Sequence, residues 1–526
     1  MARCLLIADA VRDSTEVLGN AVLIDGDRIA GVGTVDRLRA SGMAEVHYPG
    51  ATIVPGLRDA HLHPVGYAAS LNRPILKEAR DFSEIADIVA AAARTQTPGS
   101  AVVAMRLDDE TLTEGRLPDR HLLDTILPDR PALLVRYCGH VAVANSRALE
   151  LAGIGEGAAD PPRGSMDRDR DGHLTGVLRE TAIEPVSVAL GSLAPAVTVD
   201  DLASATTALA SVGLTGVGAM IDLEEGCWAG AGSELDLVIE AAPRIPIDLE
   251  VFVIADTPAR LERAAERLAS AGGRVRFAGV KMFSDGSLGG HTAAMHQGFT
   301  DRPDARGTDR LVRPWADEIA RASLRIGGRV AIHAIGDRAN RGVLDLMKAL
   351  IDEGADPGRL RVEHASVLDE SDISRFGRLG VTASVQPAFI ASETGWLERR
   401  VGPERLRRTY PFLSLAGAGT PLAGGSDCPV EPPHPLWGIA AARDRCGLVP
   451  EEALSAGQAM DLFTSGAAMA IGQQGALATG STATLTVLAG DPYAGEPETL
   501  RNMGVAATWV AGHRVQVPAG LTAWKG

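Results

Sequence analysis

Apolar residues along this chain recur in two rhythms, and the rhythm changes twice. At the N-terminus they come in short runs separated by turns: "RCLLIADA", then "NAVLIDGDRIAGVG", whose Asp25-Gly26-Asp27 suits a tight hairpin, then "AEVHYPGATIVPG". The C-terminus returns to the same style in "ATLTVLAG" and "VAATWVAGHRVQV". Between them, β-prone runs alternate with segments of helical spacing. Strands are predicted at "TIVPGLRDAH", "LTGVGAMID" (214–222), "IDLEVFVIAD" (247–256) and "RVRFAGVKMFSDG" (274–286). Four more follow at "RVAIHAIGD" (329–337), "LRVEHAS" (360–366), "GVTASVQP" (380–387) and "TPLAGGSDCP" (420–429). In "PARLERAAERLASAGG", Leu261, Ala264, Ala265 and Leu268 share one helical face, with Gly272 and Gly273 as the stop; "ANRGVLDLMKALIDEG" repeats the pattern.

Eight strands with helical crossovers predict an α/β fold, a (β/α)8 TIM-like barrel over residues 56–473. The two β-rich ends, 1–55 and 474–526, predict one small composite β-sandwich domain bracketing it. The first two barrel strands are separated by roughly 150 residues, far more than a crossover needs. That stretch has its own strand-like pieces, "SAVVAMRLD" and "PALLVRYCGHVAVAN", and a Pro/Gly/Asp-rich loop, "ADPPRGSMDRDRDG". Residues 66–200 therefore read as an inserted α+β subdomain over the barrel mouth.

Composition narrows the partners. A net charge of −16 argues against nucleic acid or an anionic membrane surface, and no apolar run is long enough to span a bilayer. The five cysteines are scattered and free of CxxC spacing, which suits a cytoplasmic setting and disfavours a thiolate metal site. Four of the 51 Lys+Arg are lysine: Lys77, Lys281, Lys348 and Lys525. A chain that writes its positive charge as Arg makes each lysine informative.

Barrel chemistry collects at the C-terminal ends of strands. The polar residues at these ends are His61 and His63 on the first strand, Lys281 on the fourth, His333 on the fifth, His364 on the sixth and Asp427 on the eighth. In a strand, residues two apart point to one side, so His61 and His63 aim together into the mouth. Neutral imidazole ligates Zn²⁺ and similar ions, and a bound cation brings the pKa of water from about 15.7 toward about 7. Buried lysine loses its charge readily and its amine can add CO₂ to become an anionic carbamate, able to bridge two cations; arginine cannot. Asp427, in "GGSDCP", is the natural proton acceptor and later donor. Singly, each residue has a plain structural reading, and Lys281 could pair with Asp285. Their joint order is what points to a metal site. His47, His121 and His513 lie outside it and read as structural.

"VPGLRDAHLHP", "GVKMFSDGSLGGHTAAM", "AIHAIGD", "RVEHAS" and "GGSDCPVEPPHPLWGIAAA" resemble the motifs of the metal-dependent amidohydrolase superfamily, in the branch of YtcJ-like hydrolases and N-substituted formamide deformylases. The resemblance extends to "GHVAVANSRALELAGI" and "LTGVLRE" in the insertion. It implies metal ligands at His61, His63, His333 and His364, Lys281 as a carboxylated bridge, and Asp427 as catalytic acid/base. It places His140 and the Arg179-Glu180 pair at the substrate pocket. His291 stands where the branch usually has Arg, so a substrate contact there would differ in charge. The expected cofactor is a divalent metal, Zn²⁺ first, as one or two ions. The expected reaction is hydrolysis of an amide or N-acyl amine by metal-activated water. Rivals are ester, lactone or cyclic-amide hydrolysis, deamination, or a non-catalytic metal-binding regulator. The expected partner is a small-molecule substrate, with a homodimer as the expected assembly. "VAVAN", Trp228 and Trp396 hint at an apolar acyl or aryl group.

Overall fold

Eight parallel strands, each long enough for one apolar run and no more, ring the centre of the computed structural model, which describes residues 3–223 and 233–524. They are β1 (Leu57–Leu62), β2 (Leu214–Asp222), β3 (Asp248–Ile254), β4 (Val275–Phe283), β5 (Arg329–Ala334), β6 (Leu360–His364), β7 (Thr382–Val385) and β8 (Leu422–Gly424). They pair in sequence order. The predicted helices form at Pro258–Ala269 and Asp337–Asp352. Alternation along the strands divides the core in two. Val217, Ala219, Val251, Val253, Val330, Ile332 and Val362 join a large shell with the helices. Ala60, Met220, Phe252, Ala278, Ala331 and Ala423 form a separate inner cluster.

Small residues let the strands close up. A Cβ on Gly218 in β2 would lie 2.1 Å from the Ala60 carbonyl oxygen of β1, a backbone atom with no room to yield. Gly218→Ala is expected to destabilise the fold by about 2 kcal/mol as an overpacking change, read as a lower urea midpoint; an unchanged midpoint would show that the barrel can breathe here.

The run "TIVPGLRDAH" breaks at Gly56 and serves two sheets. Residues Ala44–Pro55 belong to the terminal domain, and β1 begins at Leu57. Strands from both termini pair into one seven-stranded sheet. The C-terminal strand Leu485–Leu488 pairs antiparallel with Ala44–Pro55, and the Asp25–Arg28 turn closes the predicted hairpin. Ile53, Val22, Leu485, Val487 and Trp509 share its core.

The segment between β1 and β2 builds its own five-stranded sheet, in the order Val102–Leu107, Ala132–Arg136, Val141–Ala144, Leu174–Glu180, Gly164–Arg168. Both faces are apolar and covered: Val103, Leu133 and Ala142 pack on one side, Ala104, Leu134 and Val143 on the other. The ends of these strands meet the mouth of the barrel. Among the described residues no helix is long and apolar enough to cross a membrane.

Candidate metal centre

The ring of strands is closed by the site itself. No ladder joins β8 to β1. Instead the Asp427 N–H donates to the His61 carbonyl at 2.8 Å, and the His63 N–H donates to the Cys428 carbonyl at 2.9 Å. Asp59 reinforces the seam: its carboxylate accepts from the Ser426 N–H (3.0 Å) and the His61 N–H (3.0 Å). Gly425 is needed beside it, since a Cβ there would lie 2.8 Å from the His61 nitrogen. Burial pushes the Asp59 carboxyl up to about 6, against these hydrogen bonds.

All six strand-end residues expected at the site converge. His61 Nε2 lies 3.2 Å and His63 Nε2 3.3 Å from Asp427 Oδ1. Lys281 Nζ lies 3.3 Å from His61 Nε2. The rings of His61 and His364 are 5.1 Å apart, and those of His333 and His364 4.5 Å. The donor atoms of His61, His364 and Asp427 fall within 4.8 Å of one another, and the other three stand at the rim of that group. A second cluster, Asp169, Asp171 and His173, is exposed on the insertion. His364 and Asp427 reach the centre by left-handed backbone, φ 74° and 56°. For His364 this turns the ring inward although Glu363, its neighbour, already faces in. Such conformations are costly outside glycine and gather at functional sites.

The electrostatics suit a cation. Burial drives the imidazoles of His333 and His364 well below their ordinary value and lowers His63, so these rings are neutral donors. Burial would raise the Asp427 carboxyl, but the imidazoles of His61, His63 and His364 hold it well below the carboxylate range. Burial lowers the Lys281 ammonium to about 8. Among the described residues no carboxylate makes an ion pair with it, Asp285 included. Neutral imidazoles, one ionised carboxylate and a readily discharged amine, gathered within a few ångströms, make a donor set that fits a divalent cation.

Residues behind the donors orient them, and sequence reasoning missed these. Glu363 Oε2 meets His61 Nδ1 at 2.7 Å, which turns Nε2 toward Asp427. Arg361 in turn grips Glu363, with Nη2 at 2.9 Å, and donates to the Ala60 carbonyl at 2.7 Å. Gln386 Oε1 meets His364 Nδ1 at 2.7 Å. Asp285 accepts from the N–H groups of Ala294, Ile335 and Gly336 (2.8–3.0 Å), tying the loop after β4 to the end of β5. Burial lifts its carboxyl to about 7. Gln386 was findable: it is a polar residue at a strand end, the criterion that yielded the histidines. Arg361 and Glu363 were findable as charges two apart in an otherwise apolar strand, which the pleat must send to the same side.

A cavity of about 560 Å³ opens over the centre, lined by His63, Lys281, His333, His364 and Asp427 below and by Arg136 to His140 and Glu180 of the insertion above. His140 Nδ1 lies 2.9 Å from Glu180 Oε2, which also accepts from Arg310 at 2.9 Å. Burial alone would lower the His140 pKa, but the Glu180 carboxylate raises it. Glu180 itself is held at about 2, His140 and Arg310 outweighing the opposing effect of burial.

Two expected pocket residues stand off the cavity. Arg179 alternates to the far side of its strand, where Asp167 (2.7 Å) and the Gly290 carbonyl (3.0 Å) engage it. His291, turned by a left-handed φ of 56°, sits edge-on to Phe299 and 3.2 Å from Asp301. Burial and Arg400 lower its pKa to about 4. Trp396 is buried against Arg400, and Trp228 lies outside the described residues.

Residues 49–516 match the profile of the amidohydrolase family. YtcJ of Bacillus subtilis (strain 168) is 29% identical over 510 residues, covering 94% of this chain and 95% of its own. The N-substituted formamide deformylase of Arthrobacter pascens is 28% identical over 526 residues, covering 95% of each. Among solved structures, an uncharacterised metal-dependent hydrolase of Pyrococcus furiosus superposes with a TM-score of 0.71 at 29% identity, over 93% of this chain and 100% of that one.

Proposed function

This chain belongs to the amidohydrolase family, in the branch of YtcJ and N-substituted formamide deformylase, and on that premise we propose that it hydrolyses a C–N bond, in an amide or an N-acyl or N-formyl amine, with a bound divalent cation. The observation that carries this reading is the place of Asp427: an ionised carboxylate within 3.3 Å of two imidazoles, at the floor of a substrate-sized cavity. His61, His63, His333, His364 and Asp427 would hold the cation, with Lys281 as a further ligand once its neutral amine has taken up CO₂, forming an N–C bond and releasing one proton. When bound, the cation supplies Lewis acidity, acidifying water and polarising a carbonyl.

The chain's own residues do the rest. Asp427 accepts the proton of the attacking water and returns it to the departing nitrogen. Glu363 fixes the His61 tautomer and Gln386 orients His364, so that the ring nitrogens facing the centre stay available. His140, whose pKa the Glu180 carboxylate raises, lines the cavity, where its ring can stabilise charge growing on the carbonyl oxygen. Esters, lactones and cyclic amides could be cleaved by the same arrangement; the named activity of the Arthrobacter relative favours the C–N bond. A purely regulatory metal protein would have no use for a positioned base. The four described cysteines are free, which supports a reducing, cytoplasmic setting.

Exhaustive chelation is expected to abolish turnover, and added Zn²⁺ or another divalent ion to restore it. Profiling against matched N-formyl amines, N-acyl amines and esters checks the bond. Full activity in metal-free protein would end the metal reading, and faster ester cleavage would move the assignment to esters.

A further inference from the structure

The reading of the site as an amide hydrolase leaves one cavity residue without a task, and the inference below rests on that reading. We propose that Arg136, with Tyr137 beside it, seats a carboxylate on the substrate, so that the enzyme acts on anionic N-acyl amines such as N-acylated amino acids.

Arg136 ends the second strand of the insertion's sheet and is 1% exposed, yet it lines the cavity. Its Nε–H donates to Asp109 Oδ1 at 2.6 Å and its guanidinium lies 4.4 Å from the centre of the Tyr137 ring. Neither Nη1 nor Nη2 has a hydrogen-bond partner, and neither does the Tyr137 hydroxyl, which is also buried. The neighbouring Cys138 thiol is only a weak acceptor. Folded chains rarely bury donors in this way, and those that do commonly offer them to something that arrives later.

The surroundings were shaped to keep that end of the guanidinium clear. Gly289, in the loop after β4, passes so close that a Cβ would sit 2.3 Å from Nη1. Three other cations of the cavity are held: half-buried Arg310 by Glu180, Arg106 by the Pro429 carbonyl (2.8 Å) and the Trp524 ring although its Nε lacks a partner, and Lys281 within the metal centre. Glu393, another carboxylate near Arg136, accepts from the Tyr410 hydroxyl at 2.6 Å and makes no ion pair with the guanidinium, whose ion-pair partner is Asp109. With Nε occupied, the Nη1–Nη2 end presents two parallel N–H groups, which match the two oxygens of a carboxylate. A phosphate would call for more positive charge than one arginine half-neutralised by Asp109.

The test uses N-(benzenesulfonyl)glycine and the corresponding alcohol, N-(benzenesulfonyl)ethanolamine, a pair with no acyl C–N bond to cleave that differs only in the anionic group. Titration calorimetry with the metal-loaded protein is expected to show the acid binding about ten- to a hundredfold more tightly. Arg136→Met should erase that preference, and Arg136→Lys, which keeps the charge and loses the fork, should retain part of it. Gly289→Ala, whose φ is not left-handed, should also erase it by displacing the guanidinium, and decides the matter where Arg136→Met does not fold. Equal binding of acid and alcohol by the unaltered protein would overturn the proposal. So would a preference that survives in Arg136→Met or Gly289→Ala, since the metal or another cation would then hold the carboxylate. Because binding is read directly, this result stands apart from whether amides are turned over, which bears on the proposed reaction alone.

Discussion

Replacing Asp427 with Asn is expected to lower kcat about a thousandfold, within the range for loss of a general acid–base group, with metal content and stability close to those of the unaltered protein. Asn keeps the shape of the side chain and one oxygen that can face His61 and His63, but it cannot carry the proton. The backbone also tolerates it: Asp427 has a φ of 56°, a conformation that Asn and Asp share among non-glycine residues. The N–H that closes the barrel onto the His61 carbonyl is therefore kept. Elemental analysis and a urea midpoint run beside the kinetics separate proton transfer from ligation. If turnover falls in proportion to lost metal, Asp427 acts only as a ligand; if turnover is retained, it has no part in the proton path.

What could be read from the sequence, and what could not, divides along physical lines. Strand positions were legible because each barrel strand is a short apolar run closed by a polar residue, so β2, predicted at 214–222, lies where expected. The six central side chains were legible because barrel geometry makes the strand end the single place where distant segments meet. Arg179 and His291 were not, because their neighbours decide where they point. Arg179 follows the pleat away from the cavity to Asp167, and a left-handed turn sends His291 toward Asp301. Arg136 was also out of reach. Its importance lies in two guanidinium nitrogens, Nη1 and Nη2, without a hydrogen-bond partner, and a missing contact leaves no mark in a one-dimensional pattern. The Arg361–Glu363 pair was written plainly in "RVEHAS", but as an ion pair it looks like stability rather than orientation until His61 is seen on its far side.

That pair supports the second large effect. Glu363→Gln is expected to cost about 3–5 kcal/mol of stability, the usual consequence of removing one member of a buried ion pair. Burial alone would raise the Glu363 carboxyl pKa, yet Arg361 and His61 hold it well below the carboxylate range, so the folded chain depends on its charge. Gln would leave the Arg361 guanidinium, 1% exposed, facing a neutral amide. It would also replace the charged acceptor of His61 Nδ1, now 2.7 Å away, with a neutral amide that can accept or donate, loosening the hold on the tautomer; affinity for the cation should fall about ten- to a hundredfold, as for other changes behind a metal-ligating histidine. The two losses come apart in the double variant Arg361→Met, Glu363→Leu. An apolar pair of similar volume should recover much of the stability, because neither charge is then stranded, but it cannot orient His61. Urea unfolding and metal titration on the single and double variants therefore give different orders. Should the double variant regain metal affinity along with stability, Glu363 would matter only as the counterion of Arg361, and the orientation of His61 would have to come from β1 and the Asp59 seam alone.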